Sequence, residues 1–160
     1  MITIGLRARS LKKLERDFLD SALRFYLNLL IPNIVNLDIE VVLKKTLSKK
    51  EAAAAFIYAI GGRSPYKDFL IELDSNMSFG AMLQSLAHES VHLAQYASGQ
   101  LKPTSDINVQ LWLGKKVKLD SLAYWDLPWE IDAAGREKGM FVRWLEHEGI
   151  MDKYEWATWS

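Results

Sequence analysis

His88-Glu89-Ser90-Val91-His92 contains two of the chain's three histidines, four residues apart, with a glutamate directly after the first. On an α-helix, residues i and i+4 share a face with Cβ atoms about 6 Å apart, so both imidazoles can reach one metal ion. Glu89 lies one residue, roughly 100° of rotation, from His88. It borders the ligand face without having to ligate, and is placed to take a proton from water at the metal. This is the H-E-x-x-H arrangement, two zinc ligands and a general base. The spacing requires a helix, and Phe79, Met82, Leu83, Leu86, Val91, Leu93 and Ala94 supply apolar positions around most of one. A helix apolar on most sides is buried, and buried histidines and glutamates need partners. Hydrogen-bonded core histidines beside an ion-paired glutamate would meet that need. A metal accounts for the residue types and their order as well.

Composition narrows the chemistry. The chain has 160 residues and no cysteine, so disulfides and thiolate metal sites are both excluded. Any metal must be held by nitrogen and oxygen, and zinc accepts that set from histidine and carboxylate. Twenty basic residues balance twenty acidic ones, leaving no net field to draw the protein to nucleic acid or an anionic membrane. The first thirteen residues lack the apolar core of a signal peptide, and no apolar run approaches the ~20 residues that span a bilayer. The expectation is a soluble protein that stays in the cytoplasm, as one domain over residues 1–160.

The ligand helix must be positioned by other elements. Residues 10–30 read as an amphipathic helix, with Ser10 as N-cap and Leu11, Leu14, Phe18, Ala22, Phe25 and Leu29 at helical spacing. Residues 37–47 switch to period two, with Ile39, Val41 and Leu43 opposite Asp38, Glu40 and Lys44, as in a strand with one wet face. Residues 52–60 read as a buried strand closed by Gly61-Gly62. Residues 66–74 alternate again through Phe69, Ile71 and Leu73. Ser78 caps the metal-binding helix, and Gly99 ends it as a left-handed residue. Residues 109–119 read as a hairpin turning at Gly114-Lys115, a type II′ pair. Asp126 and Pro128 open a last helix that runs to Glu148 before Gly149. Helix, three strands, metal helix, hairpin and ligand helix make an α+β architecture. Its core is expected over about 37–148, with a short aromatic tail at 149–160.

With these motifs in place, the chain resembles a minimal single-domain zincin of the gluzincin type, a zinc metallopeptidase. More narrowly, three stretches resemble predicted metallopeptidases of tailed bacteriophages. They are His88 to Tyr96 (H-E-x-x-H-x-x-Q-Y), Trp112-Leu113-Gly114, and Tyr124 to Ala133 (Y-W-D-x-P-W-E-x-x-A). The fold-level likeness covers about residues 37–148 and the phage-type likeness mainly 86–137. It implies a zincin-like fold with a small mixed sheet, a bound Zn2+, and a peptide or protein substrate met in the host cytoplasm if the chain is phage-encoded.

A catalytic zinc needs three protein ligands and an open position. The resemblance implies Glu130, in the W-E-x-x-A context at the start of the last helix, where the dipole also favours a carboxylate. A glutamate that merely complements its helix would occupy the same place. His147 is the rival ligand, but 17 residues of helix span roughly 25 Å, so it and Glu130 cannot share one ion. Gluzincins of the thermolysin kind place an aspartate four residues after the glutamate ligand to hold the first histidine. Here that position is Ala134. Glu137, on the face of Glu130 two turns on, can substitute. Tyr124 is a candidate oxyanion donor or simply a packed aromatic.

The resulting expectation is peptide hydrolysis at zinc bound by His88, His92 and Glu130, with Glu89 as general base and an edge strand at 66–74 pairing with substrate. The competing readings are a non-catalytic zincin-fold binding or assembly module of a phage, and hydrolysis of a non-peptide amide.

Overall fold

The computed structural model describes residues 1–45 and 54–153. It opens with a strand that periodicity does not announce, β1 (Ile2–Arg7). It is half-buried and interrupted by Gly5, so its alternation is weak. Helix α1 (Lys13–Leu30) follows and leads into β2 (Leu37–Lys44). Next come β3 (Ala55–Ala59) and β4 (Asp68–Asp74). The four strands form a mixed sheet in the order β1-β2-β4-β3, with β3 antiparallel to β4 and the others parallel.

Alternation decides which side of the sheet is covered. Leu37, Ile39 and Val41 of β2 and Phe69, Ile71 and Leu73 of β4 are buried. Of the residues between them Asp38, Glu40 and Glu72 carry charges, and Arg7–Glu40 and Lys44–Glu72 pair across strands, each at 3.1 Å. One face is therefore wet, and α1 and α2 (Phe79–Ala97) cover the other. Helix α3 (Pro128–Glu148) packs on both helices. The three helices lock through Tyr26, whose buried hydroxyl donates to the Leu83 carbonyl at 3.2 Å. Trp144, fully buried, donates to Ser21 Oγ at 3.1 Å and meets Phe18 edge-on.

Several expectations change. Helix α1 starts at Lys13 rather than after Ser10, with Glu15 Oε2 accepting the Lys12 N–H at 2.8 Å. Its buried stripe runs through Leu19, Ala22, Leu23, Tyr26 and Leu27, whereas Leu14 is 62% exposed. The strand expected to be buried over 52–60 is β3, a half-buried edge strand, because β4 flanks it on one side alone; residues 52 and 53 lie outside the described residues. The strand expected at the edge, β4, is interior. Most of the aromatic tail, 154–160, also lies outside the described residues. Among the described residues no helix is long and apolar enough to cross a membrane.

Between α2 and α3 lies a second, three-stranded sheet: β5 (Leu101–Pro103), β6 (Val109–Trp112) and β7 (Lys115–Lys118). Its turn residues are Leu113 (φ 50°) and Gly114 (φ 81°). Positive φ at both positions is the type I′ pattern rather than II′. Leu113, 61% exposed, thus occupies a left-handed conformation that favours glycine or asparagine. Replacing Leu113 with asparagine should stabilise the protein by about 0.5–1 kcal/mol. An unchanged or lower urea midpoint would count against this turn assignment.

Candidate metal centre

Helix α2 begins where Ser78 Oγ accepts the Ala81 N–H at 3.2 Å and ends before Gly99, left-handed at φ 75°. It is buried along nearly its whole length, Glu89, Ser90, His92 and Gln95 included. Helix α3 begins with Pro128 at its first position, which puts Glu130 in the first turn. Trp129, Glu130 and Ala133 face inward and Ala134 faces solvent. With no side chain beyond a methyl at Ala133, fully buried, the two helices approach closely.

That approach brings three atoms together. His88 Nε2 and His92 Nε2 are 3.1 Å apart, and each is 3.3 Å from Glu130 Oε2. For bonds of about 2.0–2.1 Å, two ligand atoms of a tetrahedral zinc are separated by about 3.3–3.4 Å, which is 1.63 bond lengths. The triangle has the size of one face of that tetrahedron. Glu130 Oε2 is buried and has no hydrogen-bond partner.

The surrounding hydrogen bonds fix which atoms carry protons. Gln95 Nε2 donates to the Trp129 carbonyl (3.1 Å) and to Asp132 Oδ2 (3.0 Å). Its Oε1 is therefore the acceptor facing His92 Nδ1 at 2.9 Å, so His92 carries its hydrogen on Nδ1. Glu137 Oε2 lies 2.5 Å from His88 Nδ1, and its Oε1 accepts from Gln84 Nε2 at 3.1 Å. A carboxylate accepts only, so His88 also carries its hydrogen on Nδ1. Both Nε2 atoms then point lone pairs at the lone pairs of Glu130. Three acceptors within 3.3 Å, and no donor among them, form a cradle for a cation. The buried His88–His92–Glu130 group could hold a metal ion.

The acidic groups set the local field. Burial works against a charged His88, but the protonated ring donates to Glu130 and Glu137, with Glu89 nearby, and this outweighs burial and raises its pKa from 6.5 to about 10. His92 is also raised, because Glu130 and Glu89 overcome the effect of its burial. Burial works against a charged Glu130, yet His88, His92 and Tyr124 hold it down to about 2. Burial raises Glu89, as fits a carboxylate kept ready to accept a proton. Without a metal, the proton is the cation that this cluster binds.

The structure brings His88, Glu89, His92 and Glu130 to one place. Glu89 lines a cleft of about 160 Å³ with His92 and Glu130, bounded by Ala55 to Ile57 of β3, Tyr96, Leu101, Tyr124 and Trp129. Tyr124 is not a packed core aromatic: it is 56% exposed, lies against Trp125, and lines the cleft with Glu130. His147 is elsewhere, its ring 5.0 Å from that of Phe25 between α1 and the far end of α3. Gln84, Gln95 and Asp132 had no role assigned from sequence. The signal for Gln95 was its position, three residues after His92 on a helix with little wet surface.

Gln95 should therefore matter beyond packing. Gln95→Leu leaves His92 Nδ1, Trp129 O and Asp132 without their shared partner, and should weaken metal affinity by about 10–100-fold. Competition with a chelator reads this directly. An affinity within twofold of wild type would deny Gln95 any part in orienting His92.

Comparison with models of protein families, with curated proteins and with solved structures returns no match, so the reading of this centre rests on its own geometry.

Proposed function

We propose that the protein is a zinc-dependent hydrolase acting on peptide bonds, a metallopeptidase of the gluzincin kind. The observation that carries this reading is the ion-sized triangle of His88, His92 and Glu130, of which His92 and Glu130 share a cleft with buried Glu89. Two nitrogens and one oxygen at tetrahedral spacing are the donor set of a catalytic rather than a closed structural zinc site. When bound there, zinc lowers the pKa of water towards 7 and polarises the substrate carbonyl.

The chain's own residues supply the remaining steps. Glu89, with its pKa raised by burial, takes the proton of the attacking water and passes it to the leaving amine. Glu137 and Gln95 hold the imidazoles in register. Tyr124, which lines the cleft, is the candidate donor to a developing oxyanion.

An extended substrate can pair with β3. The bonds Asp74 N–H to Ala54 O and Ile60 N–H to Asp68 O put the even-numbered residues of that stretch in the narrow pairs with β4. In an antiparallel ladder the alternate residues face outward, so Ala55, Ile57 and Ala59 turn their N–H and C=O groups to the open edge. Ala55 and Ile57 line the cleft. Edge pairing of this kind supplies affinity through main-chain bonds. A binding module without catalysis would have no use for Glu89 in this place.

Glu89→Gln should keep its zinc and lose hydrolysis by several orders of magnitude on any peptide that wild type cleaves. Equal rates would remove Glu89 as the base. If wild type cleaves nothing in a diverse peptide library, the protein is a binding module. Glu130→Ala should lower zinc affinity at least as much as His92→Ala, while His147→Ala leaves it unchanged. The opposite ranking would remove Glu130 from the ligand set.

Opposite pH trends should separate the metal-free and zinc-loaded forms. A raised His88 pKa stabilises the metal-free fold fully below 6.5, and this contribution is lost as pH rises through about 10. The lowered pKa of Glu130 contributes above 4.5 and is lost as pH falls towards about 2. Zinc needs both imidazoles unprotonated. The rise in Tm on adding zinc should therefore grow from about pH 6 to about pH 8; a rise that shrinks over this range would show that these imidazoles do not bind it.

A further inference from the structure

The β5–β7 sheet turns one face to the protein and one away. Its register aligns Leu101, Trp112 and Lys115 in one row and Pro103, Gln110 and Val117 in another. These rows share a face, and Leu101, Trp112 and Val117 carry it into the small core with Leu127 and Trp129. The rows between them, Lys102–Leu111–Lys116 and Val109–Lys118, take the opposite face. That outer face is basic. Its three lysines are exposed, and among the described residues none of them has an ion-pair partner. The strands contain no acidic residue. Asp106 and Asp120 lie beyond their ends, and Asp106 Oδ1 accepts the Asn108 N–H at 2.9 Å.

Two of these lysines also hold a free strand edge. β7 ends the strand order, and among the described residues no strand pairs with its outer side. The two-residue turn closes on Trp112 and Lys115, and two pairs beyond Gln110–Val117 the Leu119 N–H bonds the Asn108 carbonyl at 2.8 Å. Bonded pairs alternate along an antiparallel ladder, so Val117 bonds to β6 while Lys116 and Lys118 turn their main-chain groups outward. The Lys118 carbonyl accepts from Ser121 Oγ at 2.7 Å. The N–H and C=O of Lys116 and the N–H of Lys118 remain for a partner. The two residues stand about 6.7 Å apart, the i, i+2 spacing of any extended chain.

We propose that the free edge of β7 docks an extended acidic segment of a partner protein, with carboxylates at alternate positions facing Lys116 and Lys118. Main-chain bonds supply the affinity of such strand addition and the alternate side chains its selectivity. Lysines on an edge deter chance pairing, and a strand of opposite charge is the one they admit. The apolar residues of this face are Val109 and Leu111, with no aromatic ring on which a nucleic-acid base could stack. The surface is separate from the metal triangle and stands whether or not the chain hydrolyses peptides.

The test titrates zinc-loaded Glu89→Gln protein, chosen so that no probe is cut, with short capped peptides at low salt. One alternates glutamate with threonine, and its isomer has the same glutamates in one block. The alternating peptide should bind about threefold or more tighter than the isomer. It should shift the amide resonances of residues 115–118 and slow hydrogen exchange at Lys116 and Lys118. Lys116→Glu combined with Lys118→Glu should weaken it about tenfold and bind a lysine–threonine peptide in its place, a gain that a misfolded variant would not show. Equal binding of the isomers would reduce the surface to diffuse charge, and tighter binding of single-stranded DNA or phosphatidylserine vesicles would give it another partner. Either result overturns the proposal, as does a double variant without the reversed preference. No binding of the alternating peptide also overturns it and leaves the lysines as guards of the edge.

Discussion

Three lone pairs that converge within 3.3 Å of one another once both imidazoles are neutral are the constraint around which this molecule is arranged. Like partial charges at that distance repel, and in a buried setting the repulsion is poorly screened. The fold must therefore provide a rigid frame and also a cation. The frame is α2 against α3, joined by three side-chain bonds, Glu137 to His88 and to Gln84 and Gln95 to Asp132, while Gln95 also holds His92 within α2.

The rest of the chain keeps those helices at a fixed spacing. The single wet face of the sheet forces α1 and α2 onto the other side, and α1 then becomes a second support for α3. Tyr26 and Trp144 are the contact points, each buried with its polar atom bonded. β3 lies over the opposite side of the cleft, so the ligands sit between a packed helical wall and an open strand. On the proposed hydrolase reading, such preorganised groups are what would stabilise the transition state.

Local pattern revealed the elements that have strong periods or end signals. Ser78, Gly99, Pro128 and Gly149 mark α2 and α3 in the structure as they do in the sequence, and the alternation of Phe69, Ile71 and Leu73 marks β4. What failed was information that no single segment contains. β1 is half-buried and carries a glycine, so its period is faint. Whether β3 or β4 forms the edge depends on strand order, and short apolar runs look alike in either place. The turn of β6–β7 puts Leu113 where left-handed backbone is needed, against its own preference. At the site, residue type and spacing pointed to His88, Glu89 and His92. Glu130 needed the likeness of its surroundings, since a glutamate in a first helical turn is ordinary. Gln95 was visible as a polar residue on a helix with no wet side, but its partner atoms come from another helix.

The three-stranded β5–β7 sheet is inserted between the two helices that carry the ligands. It has a small core of its own, in which Leu101 just after α2 meets Leu127 and Trp129 at the start of α3. Its ends are thus pinned while its turn projects freely. Descendants of this chain could lengthen, shorten or recolour that insert without moving the metal triangle by any covalent necessity. Recognition and reactivity would then be able to evolve at separate paces, with Trp129, shared between insert and ligand helix, as the residue where change in one is felt by the other.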